Sequence, residues 1–475
     1  MTYAFSFDAK FCSGCKACQA ACKDKNNLPT GVLWRRVYEV TGGSWEDVGV
    51  GSPNPVWTNT VFAYNLSISC NHCAYPKCAG VCPTDAYVER EDKIIFLDTT
   101  KCAGCGYCSW ACPYGAPQYN ADAGHMTKCD FCVDQLEQGL PPACVAACPL
   151  RVLEYGEAEA QKGIPLWDTQ STEHPFPMPA YSHTQPHLAV QPHPAMSRME
   201  EKFVANLEEI QPRKHSAWEE VPLMIFTLLG QMAVGGFWAM YWMFTPLWSL
   251  VQYDATSLRL IPILLIGACL GIGMLASFSH LGTKRNAWRM LAHLKKSWLS
   301  REILFALLFG VGWFFTACET MFFHRMTPEV VGITASLGLG LVYSMAQVYR
   351  LATMPGWNTS RTNVGFLVSA GLLGISVMSP LLAFESRITG IHIPAIQWTV
   401  FYGLAFVLFL AQLSLIQERY SKPSKVRIVL LVLGIALSAF GMVQSLNVAW
   451  LGILIFLLAL VEEGLGRWLF YQNRK

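Results

Sequence analysis

From Val221 to its end the chain reads as apolar stretches separated by short polar breaks, each long enough to cross a bilayer, which takes about 20 residues. Spans are predicted near 222–247, 258–280, 302–323, 329–349, 364–385, 396–417, 427–446 and 448–470. The stretch from Ile428 to Leu460 has no charged residue and is too long for one ordinary crossing. Gln444, Ser445 and Asn447 supply the turn that divides it, giving eight helices rather than seven. Trp238, Trp242, Trp248, Trp298, Trp313, Trp357, Trp398 and Trp450 lie mostly toward span ends, where interfacial aromatics belong. The span centres are almost free of ionisable residues, which argues against an ion-pumping relay across the bilayer.

Residues 157–220 follow a different pattern. Pro165, Pro175, Pro177, Pro179, Pro186, Pro192, Pro194 and Pro212 suit an extended strap, lying across a partner or across the chain's own N-terminal domain. His174, His183, His187 and His193 raise the idea of a metal site, but no fixed backbone gathers them. The expected organisation is a domain over 1–156, a linker over 157–220 and a membrane domain over 221–475.

Composition sharpens this division. The whole-chain values, 52% hydrophobic, 14% charged and a net charge of +2, average two unlike parts. No nucleic-acid partner is expected. Loop charge sets orientation. Lys284, Arg285, Arg289, Lys295, Lys296, Arg301, Arg350, Arg361, Arg419, Lys422, Lys425, Arg427, Arg474 and Lys475 fall on the side of the N-terminal domain. Only Arg259, Arg325 and Arg387 fall on the other. This asymmetry predicts an inner-membrane protein with its N-terminal domain in the cytoplasm. The Arg35–Arg36 pair follows the first cysteine run and precedes no hydrophobic region, so it is not read as a twin-arginine export signal.

The candidate chemistry lies before residue 149. Sixteen of the 18 cysteines form four groups of four: Cys12, Cys15, Cys18, Cys22; Cys70, Cys73, Cys78, Cys82; Cys102, Cys105, Cys108, Cys112; and Cys129, Cys132, Cys144, Cys148. A close triplet wraps thiolates around one iron–sulfur cube, and the fourth cysteine of such a run commonly serves the neighbouring cube. Pro83, Pro113 and Pro149 directly follow three of the fourth cysteines, as in bacterial ferredoxins. At four thiolates each, sixteen ligands predict four [4Fe–4S] clusters. A disulfide framework would suit a short secreted chain, and no signal-peptide apolar run precedes Cys12. Zinc ribbons seldom put a third cysteine three residues after a C-x2-C pair. The cysteines must stay reduced until the clusters are inserted, which points to maturation in the cytosol. Cys269 and Cys318 are read as small apolar core residues. His72, among the ligands, is expected to tune a potential by hydrogen bonding rather than bind iron.

The segments RRVYE (35–39), NLSISCNHC (65–73), ACPYGAPQYN (111–120) and HMTKCD (125–130) resemble the four-cluster subunit of the dimethyl sulfoxide reductase family. VPLMIFTLLGQ (221–231), SHLG (279–282), SREI (300–303), VYR (348–350) with PGW (355–357), and EGLGRWLFY (463–471) resemble its anchor subunit. The family usually has two polypeptides, here fused. The resemblance implies an α+β double ferredoxin-like domain followed by an all-α eight-helix membrane domain. It implies that Cys12, Cys15 and Cys18 share a cluster with Cys148, and Cys129, Cys132 and Cys144 with Cys22. Likewise Cys70, Cys73 and Cys78 join Cys112, and Cys102, Cys105 and Cys108 join Cys82, with this last cluster nearest the membrane. Some relatives have tryptophan at the position of Cys105 and a three-iron cluster there; the intact Cys105 predicts a full cube.

His280 and Glu302 match the family positions for menaquinol oxidation, and Tyr349 and Arg350 are further candidates for that site. Quinol oxidation releases two protons, so titratable acceptors near water suit it. Glu463 and Arg467, at i and i+4, are read as a packing ion pair. The function implied is electron transfer and anchoring: electrons pass between menaquinone or ubiquinone and a molybdopterin-containing catalytic subunit, with lipid and quinone as further partners. The substrate pocket then lies in another chain. The complex resembled is a dimethyl sulfoxide reductase. The alternative is a cytoplasm-facing sulfite-oxidising molybdoenzyme that reduces quinone. A membrane-tethered ferredoxin without a quinone site is a third reading, and His280 and Glu302 separate it from the first.

Overall fold

The computed structural model describes residues 2–47, 56–166, 184–195, 217–243, 260–323, 325–390, 393–416, 422–444 and 449–472. Of the residues singled out above, His174, Pro175, Pro177, Pro179, His183, Pro212, Trp248, Arg259, Arg419, Ser445, Asn447, Arg474 and Lys475 lie outside them. The chain divides into two compact units, Met1–Lys214 and His215–Lys475.

In the first unit, alternation of apolar residues in YAFSFD makes β1 (Tyr3–Asp8) a strand, with Phe5 and Phe7 buried. Pairing strands β2 (Arg36–Gly42) and β5 (Phe62–Ile68) form one antiparallel hairpin, and β3 (Trp45–Asp47) and β4 (Trp57–Asn59) another. Smaller hairpins join β6 (Tyr87–Glu89) to β7 (Ile95–Leu97) and β8 (Gln118–Asn120) to β9 (His125–Thr127). Five short helices sit between them: α1 (Ala17–Lys25), α2 (Lys77–Val81), α3 (Tyr107–Ala111), α4 (Val133–Leu136) and α5 (Ala143–Ala146). β10 (Leu153–Glu157), β11 (Ile164–Pro165) and β12 (Leu188–Gln191) complete a four-stranded sheet in the order β10-β1-β12-β11.

Pieces of the Pro-rich segment therefore belong to this unit. β12 runs parallel to β1, and the Ala74 and Tyr75 amides donate to the Gln185 and Thr184 carbonyls at 2.9 and 3.0 Å. The segment satisfies its backbone by lying along the β1 edge and the Cys70–Cys78 loop. Here His187 is buried and His193 stacks on Tyr64 at 5.3 Å between centroids.

The second unit has eight helices long and apolar enough to cross a membrane, among the described residues. They are α6 (Val221–Met243), α7 (Leu260–Ser279), α8 (Trp298–Phe323), α9 (Pro328–Tyr349), α10 (Ser360–Thr389), α11 (Ala395–Leu415), α12 (Lys422–Gln444) and α13 (Ala449–Gln472). α12 ends at Gln444 and α13 begins at Ala449, so the uncharged run is two helices, as its length demanded. The spans of α6 and α10 are 67% and 72% buried, against 22–44% for the others, so these two form the centre. They cross through glycine. A Cβ on Gly235 would meet the Ala370 carbonyl, and one on Gly374 the Gly235 backbone. Small residues allow the close backbone approach on which helix association in lipid depends.

Two tryptophans depart from the interfacial expectation. The Trp238 indole N–H donates to the Ala335 carbonyl at 3.0 Å, and that of Trp313 to the Ile263 carbonyl at 2.8 Å. Each ties its helix to a neighbour from within a span, because a buried indole N–H must find an acceptor. Trp357, between α9 and α10, is also buried and donates to the Phe470 carbonyl at 2.8 Å.

Replacing Gly235 by leucine should force α6 and α10 apart. The expected cost is about 1–3 kcal/mol, the usual range for overpacking. It should appear as earlier thermal unfolding of the detergent-solubilised protein, while Gly271→Leu, on an open face of α7, should leave unfolding unchanged.

Candidate iron–sulfur centres and a buried polar site among the helices

The positions of the cysteines follow from helix periodicity. The third and fourth members of the first three runs are four residues apart on or beside one short helix: Cys18 and Cys22 on α1, Cys78 and Cys82 at α2, Cys108 and Cys112 at α3. Cys144 lies in α5 and Cys148 just beyond it. Residues at i and i+4 share a helix face but lie one turn apart, so they reach two different centres. α1 packs on α5 and α2 on α3, which brings the fourth cysteine of one run to the triplet of the other.

The resulting groups are the interleaved quartets. Cys12, Cys15, Cys18 and Cys148 line one cavity; Cys70, Cys73, Cys78 and Cys112 line another. Cys132 and Cys144 act electrostatically on Cys22, and Cys22, Cys70 and Cys144 on Cys129. Cys108 lies in charge contact with Cys82, Cys102 and Cys105. Loop geometry serves these groups. Gly14, at φ 70° between Cys12 and Cys15, takes a turn that a side chain would strain, and a Cβ there would press on Asn65.

The donor set fits iron–sulfur clusters. Burial pushes the Cys22 and Cys105 thiols up to about 12 and the Cys112 thiol up to about 11. Such thiols carry charge only when a metal or a cation takes it up. Backbone amides are already aimed at sulfur: Gly104 at Cys102 (3.4 Å), Phe131 at Cys129 (3.4 Å), and Ala86 and Ala116 at Cys82 and Cys112 (3.5 Å each). Three buried cations stand among the quartets: Arg36, which donates to the Tyr114 and Gly115 carbonyls and acts on Cys112, and Arg35 and Lys128. Arg35 donates to the Ser67 carbonyl and hydroxyl and to Ser69, and its guanidinium lies 4.6 Å from the centre of the Phe5 ring. Its Nε is buried with no protein partner. Burial opposes its charge, but Cys144, Cys18, Cys129 and Cys22, from two quartets, outweigh that and raise its pKa. Lys128 donates to the Ile95 and Cys129 carbonyls and is held charged in the same way by Cys70, Cys129 and Cys78. His72 accepts from the Ile95 amide at 3.1 Å through Nδ1, and burial together with Lys128 and His187 keeps it neutral. Spacing alone revealed none of these cations. Arg35 and Lys128 do lie inside the RRVYE and HMTKCD segments.

The helical unit holds a second group. Glu302, in the second turn of α8, is buried, and among the described residues no protein group hydrogen-bonds its carboxylate. Tyr349, closing α9, and Tyr471, near the end of α13, share a hydrogen bond between their hydroxyls. Glu302 acts electrostatically on both. Arg350 caps α9 with its Nε buried and unpartnered. His280 follows α7, half-buried, and among the described residues no hydrogen bond joins its side chain to Glu302. The structure thus groups Glu302 with Tyr349 and adds Tyr471, which sequence reasoning passed over.

Glu463 and Arg467 are not bonded to each other as the i, i+4 reading expected. Glu463 accepts from Ser369 at 2.8 Å, Arg467 donates to Gln231 at 2.8 Å, and Arg427 binds the neighbouring Glu462 at 2.6 Å. Partners on α10 and α6 thus take up Glu463 and Arg467, and α12 takes up Glu462. Arg427, counted above as a loop charge, is thus committed to an ion pair within the helices.

The family of DMSO reductase anchor subunits (DmsC) matches residues 214–472, and the 4Fe-4S dicluster domain matches residues 61–158. The chain is similar to the probable anaerobic dimethyl sulfoxide reductase chain YnfG of Escherichia coli K12, with 46% identity over 44% of this chain and 98% of that one. A polypeptide of the anaerobic dimethyl sulfoxide reductase of the same organism is 46% identical over 40% of this chain and 88% of its own length. A polypeptide of the sulfite dehydrogenase of Allochromatium vinosum is 33% identical over 37% of this chain and 82% of its own. The chain belongs to the DMSO reductase anchor subunit family and carries, fused ahead of that anchor, the 4Fe-4S ferredoxin domain that its relatives hold as a separate chain.

Proposed function

We propose that this chain passes electrons between the membrane quinone pool and a molybdopterin catalytic subunit through four [4Fe–4S] clusters, in a dimethyl sulfoxide reductase-like anaerobic respiratory complex. The observation that carries the reading is that successive quartets share elements in pairs. The first (Cys12, Cys15, Cys18, Cys148) and second (Cys22, Cys129, Cys132, Cys144) share α1 and α5. The third (Cys70, Cys73, Cys78, Cys112) and fourth (Cys82, Cys102, Cys105, Cys108) share α2 and α3. Lys128 acts on cysteines of the second and third. Bound clusters would supply one-electron carriers along this series. The cysteines hold them, and Arg35, Lys128 and the sulfur-directed amides offset their negative charge. In this reading the fourth quartet serves the quinone end and the first the catalytic subunit.

The quinone site is assigned to Glu302, Tyr349, His280 and Arg350. Glu302 has a free carboxylate inside the unit, and His280 stands at a helix end among basic loop residues, so both can take protons as electrons leave. The excess of positive loop charge supports an inner-membrane protein with the iron–sulfur domain in the cytoplasm. That orientation, and the likeness to a sulfite dehydrogenase polypeptide, favour a second reading in which the same module receives electrons from sulfite oxidation and reduces quinone.

The isolated protein should contain about sixteen iron atoms per chain, four for each cluster. Cys105→Trp should convert one cluster to a three-iron form, seen as a new signal in the electron paramagnetic resonance spectrum of the oxidised protein. Fully occupied protein with half that iron would overturn the count.

Arg35→Met should lower the reduction potentials of the first and second clusters, because a reduced cluster is more negative and the buried cation favours it. Potentiometric titration followed by electron paramagnetic resonance measures this, and the third and fourth clusters should move little.

His280→Arg or Glu302→Gln should abolish reduction of the clusters by quinol. Reduction by dithionite, and turnover of the whole complex with a viologen donor, should survive. Wild-type quinol oxidation in both variants would place the quinone site elsewhere.

A further inference from the structure

A buried acid–base array extends inward from Glu302 and Tyr349, and the quinone reading does not use its members on α13. Its first link is the Tyr349–Tyr471 hydroxyl pair beside Glu302. Arg467, one turn before Tyr471 on α13, acts on both tyrosines and lies with its guanidinium 3.7 Å from the centre of the Phe366 ring. One further turn back stands Glu463, and next to it Glu462. Glu463 lies roughly 14 Å of helix rise inside the end of α13 at Gln472.

Charge so deep in a membrane is costly and is usually retained for function. The packing here is not that of a closed ion-pair cluster. Glu462, Glu463 and Arg467 are 0%, 2% and 6% exposed. Yet Oε2 of Glu462, Oε1 of Glu463 and Nε of Arg467 have no protein partner. The groups facing the array are Glu220 ahead of α6, Gln231 on α6, Glu302 on α8, Tyr349 on α9, Ser369 on α10 and Arg427 on α12. Within the spans and among the described residues, three carboxyls of this array, Glu302, Glu462 and Glu463, thus meet two guanidiniums, Arg427 and Arg467. One carboxyl has no cation to match it, and each of the two on α13 keeps a free oxygen.

We propose that the Glu462–Glu463 carboxyl pair is a proton-holding site for quinone chemistry, reached from Glu302 through the Tyr349 and Tyr471 hydroxyls. This rests on the quinone reading above. Oxidation of one quinol yields a quinone, two electrons and two protons. The electrons leave one at a time through the clusters. In the proposal the array takes up a proton released at Glu302 and holds it on the carboxyl pair until it is released; along α13 the Tyr349–Tyr471 hydroxyl pair comes first, then Arg467, then Glu463. Quinone reduction would run the same transfers backwards. Counted with Glu302, three carboxyls against Arg427 and Arg467 carry one net negative charge, which one proton on the array neutralises.

The test uses the intact complex with its catalytic subunit in lipid nanodiscs and a soluble naphthoquinol. Quinol-driven reduction of the wild-type protein should produce a protonated-carboxyl band in the infrared difference spectrum, and Glu463→Gln should remove it. That variant should oxidise quinol roughly tenfold or more slowly, the scale of a lost acid–base group, with a rate that follows the pH of the medium. Glu463→Asp should restore the band and the wild-type pH profile. Where Glu463→Gln alone impairs assembly, the charge-matched pair Glu463→Gln with Arg467→Gln should show the same loss. No carboxyl band in the wild-type protein, or Glu463→Gln with an unchanged band, rate and pH profile, overturns the proposal. If Glu302→Gln is still inactive with quinol in those cases, the quinone reading survives without it. If Glu302→Gln oxidises quinol normally, the quinone site assigned here falls first.

Discussion

The first unit depends on one constraint: sixteen thiol groups must be gathered within a small fold without leaving their charge exposed to one another. Helical periodicity solves the geometry. A cysteine four residues after the last of a triplet points the same way but one turn further on, so a two-turn helix can serve two centres. Charge is handled separately. Burial favours the neutral thiol, as the raised values of Cys22, Cys105 and Cys112 show, and it is offset by backbone amides and by Arg35 and Lys128. Those two cations are themselves costly to bury. Each persists because it faces cysteines of two quartets, so the thiols and the cations stabilise one another.

The helical unit obeys the opposite rule. Lipid offers no water to backbone or side chain, so polar groups must be satisfied among the helices themselves. Most are. The indoles of Trp238 and Trp313 reach carbonyls of neighbouring helices, and Ser369, Gln231 and Arg427 take up α13's charges. Gly235 and Gly374 let α6 and α10 approach closely enough to form a scaffold around which the outer helices stand. Among the buried polar atoms left without a partner, the oxygens of Glu462 and Glu463 are two on adjacent carboxyls.

Much of this architecture is legible in the chain. Eight apolar runs of membrane-spanning length, and the division of Ile428–Leu460, follow from hydropathy alone, because bilayer thickness sets a length that no tertiary contact alters. The four cysteine runs follow from spacing, whereas their interleaved grouping was implied by the family resemblance. What spacing does not reveal is partnership across distant segments. Arg35 looked like a question of export and proved to be a buried cation. The i, i+4 pairing of Glu463 with Arg467 assumed an isolated helix, whereas Gln231, Ser369 and Arg427 come from three other spans. The Pro-rich segment gave no strand signal, since β12 becomes a strand only by pairing with β1.

The two units handle the same elementary difficulty, removing charge from water, with different tolerance for error. In the ferredoxin unit the amides and cations around each quartet are fixed, and electron transfer then changes the net charge by one with little need for the protein to move. In the helical unit a change of one charge near the bilayer centre is far more expensive. A site that gives up electrons must therefore lose protons nearly in step. Groups able to accept them are needed close by, within the low-dielectric region rather than at its edge. In the proposed function Glu302, buried in the second turn of α8, meets that need for a first proton. The tyrosine hydroxyls and the carboxyl pair beyond it continue inward from Glu302 as a run of titratable groups through which a second could follow.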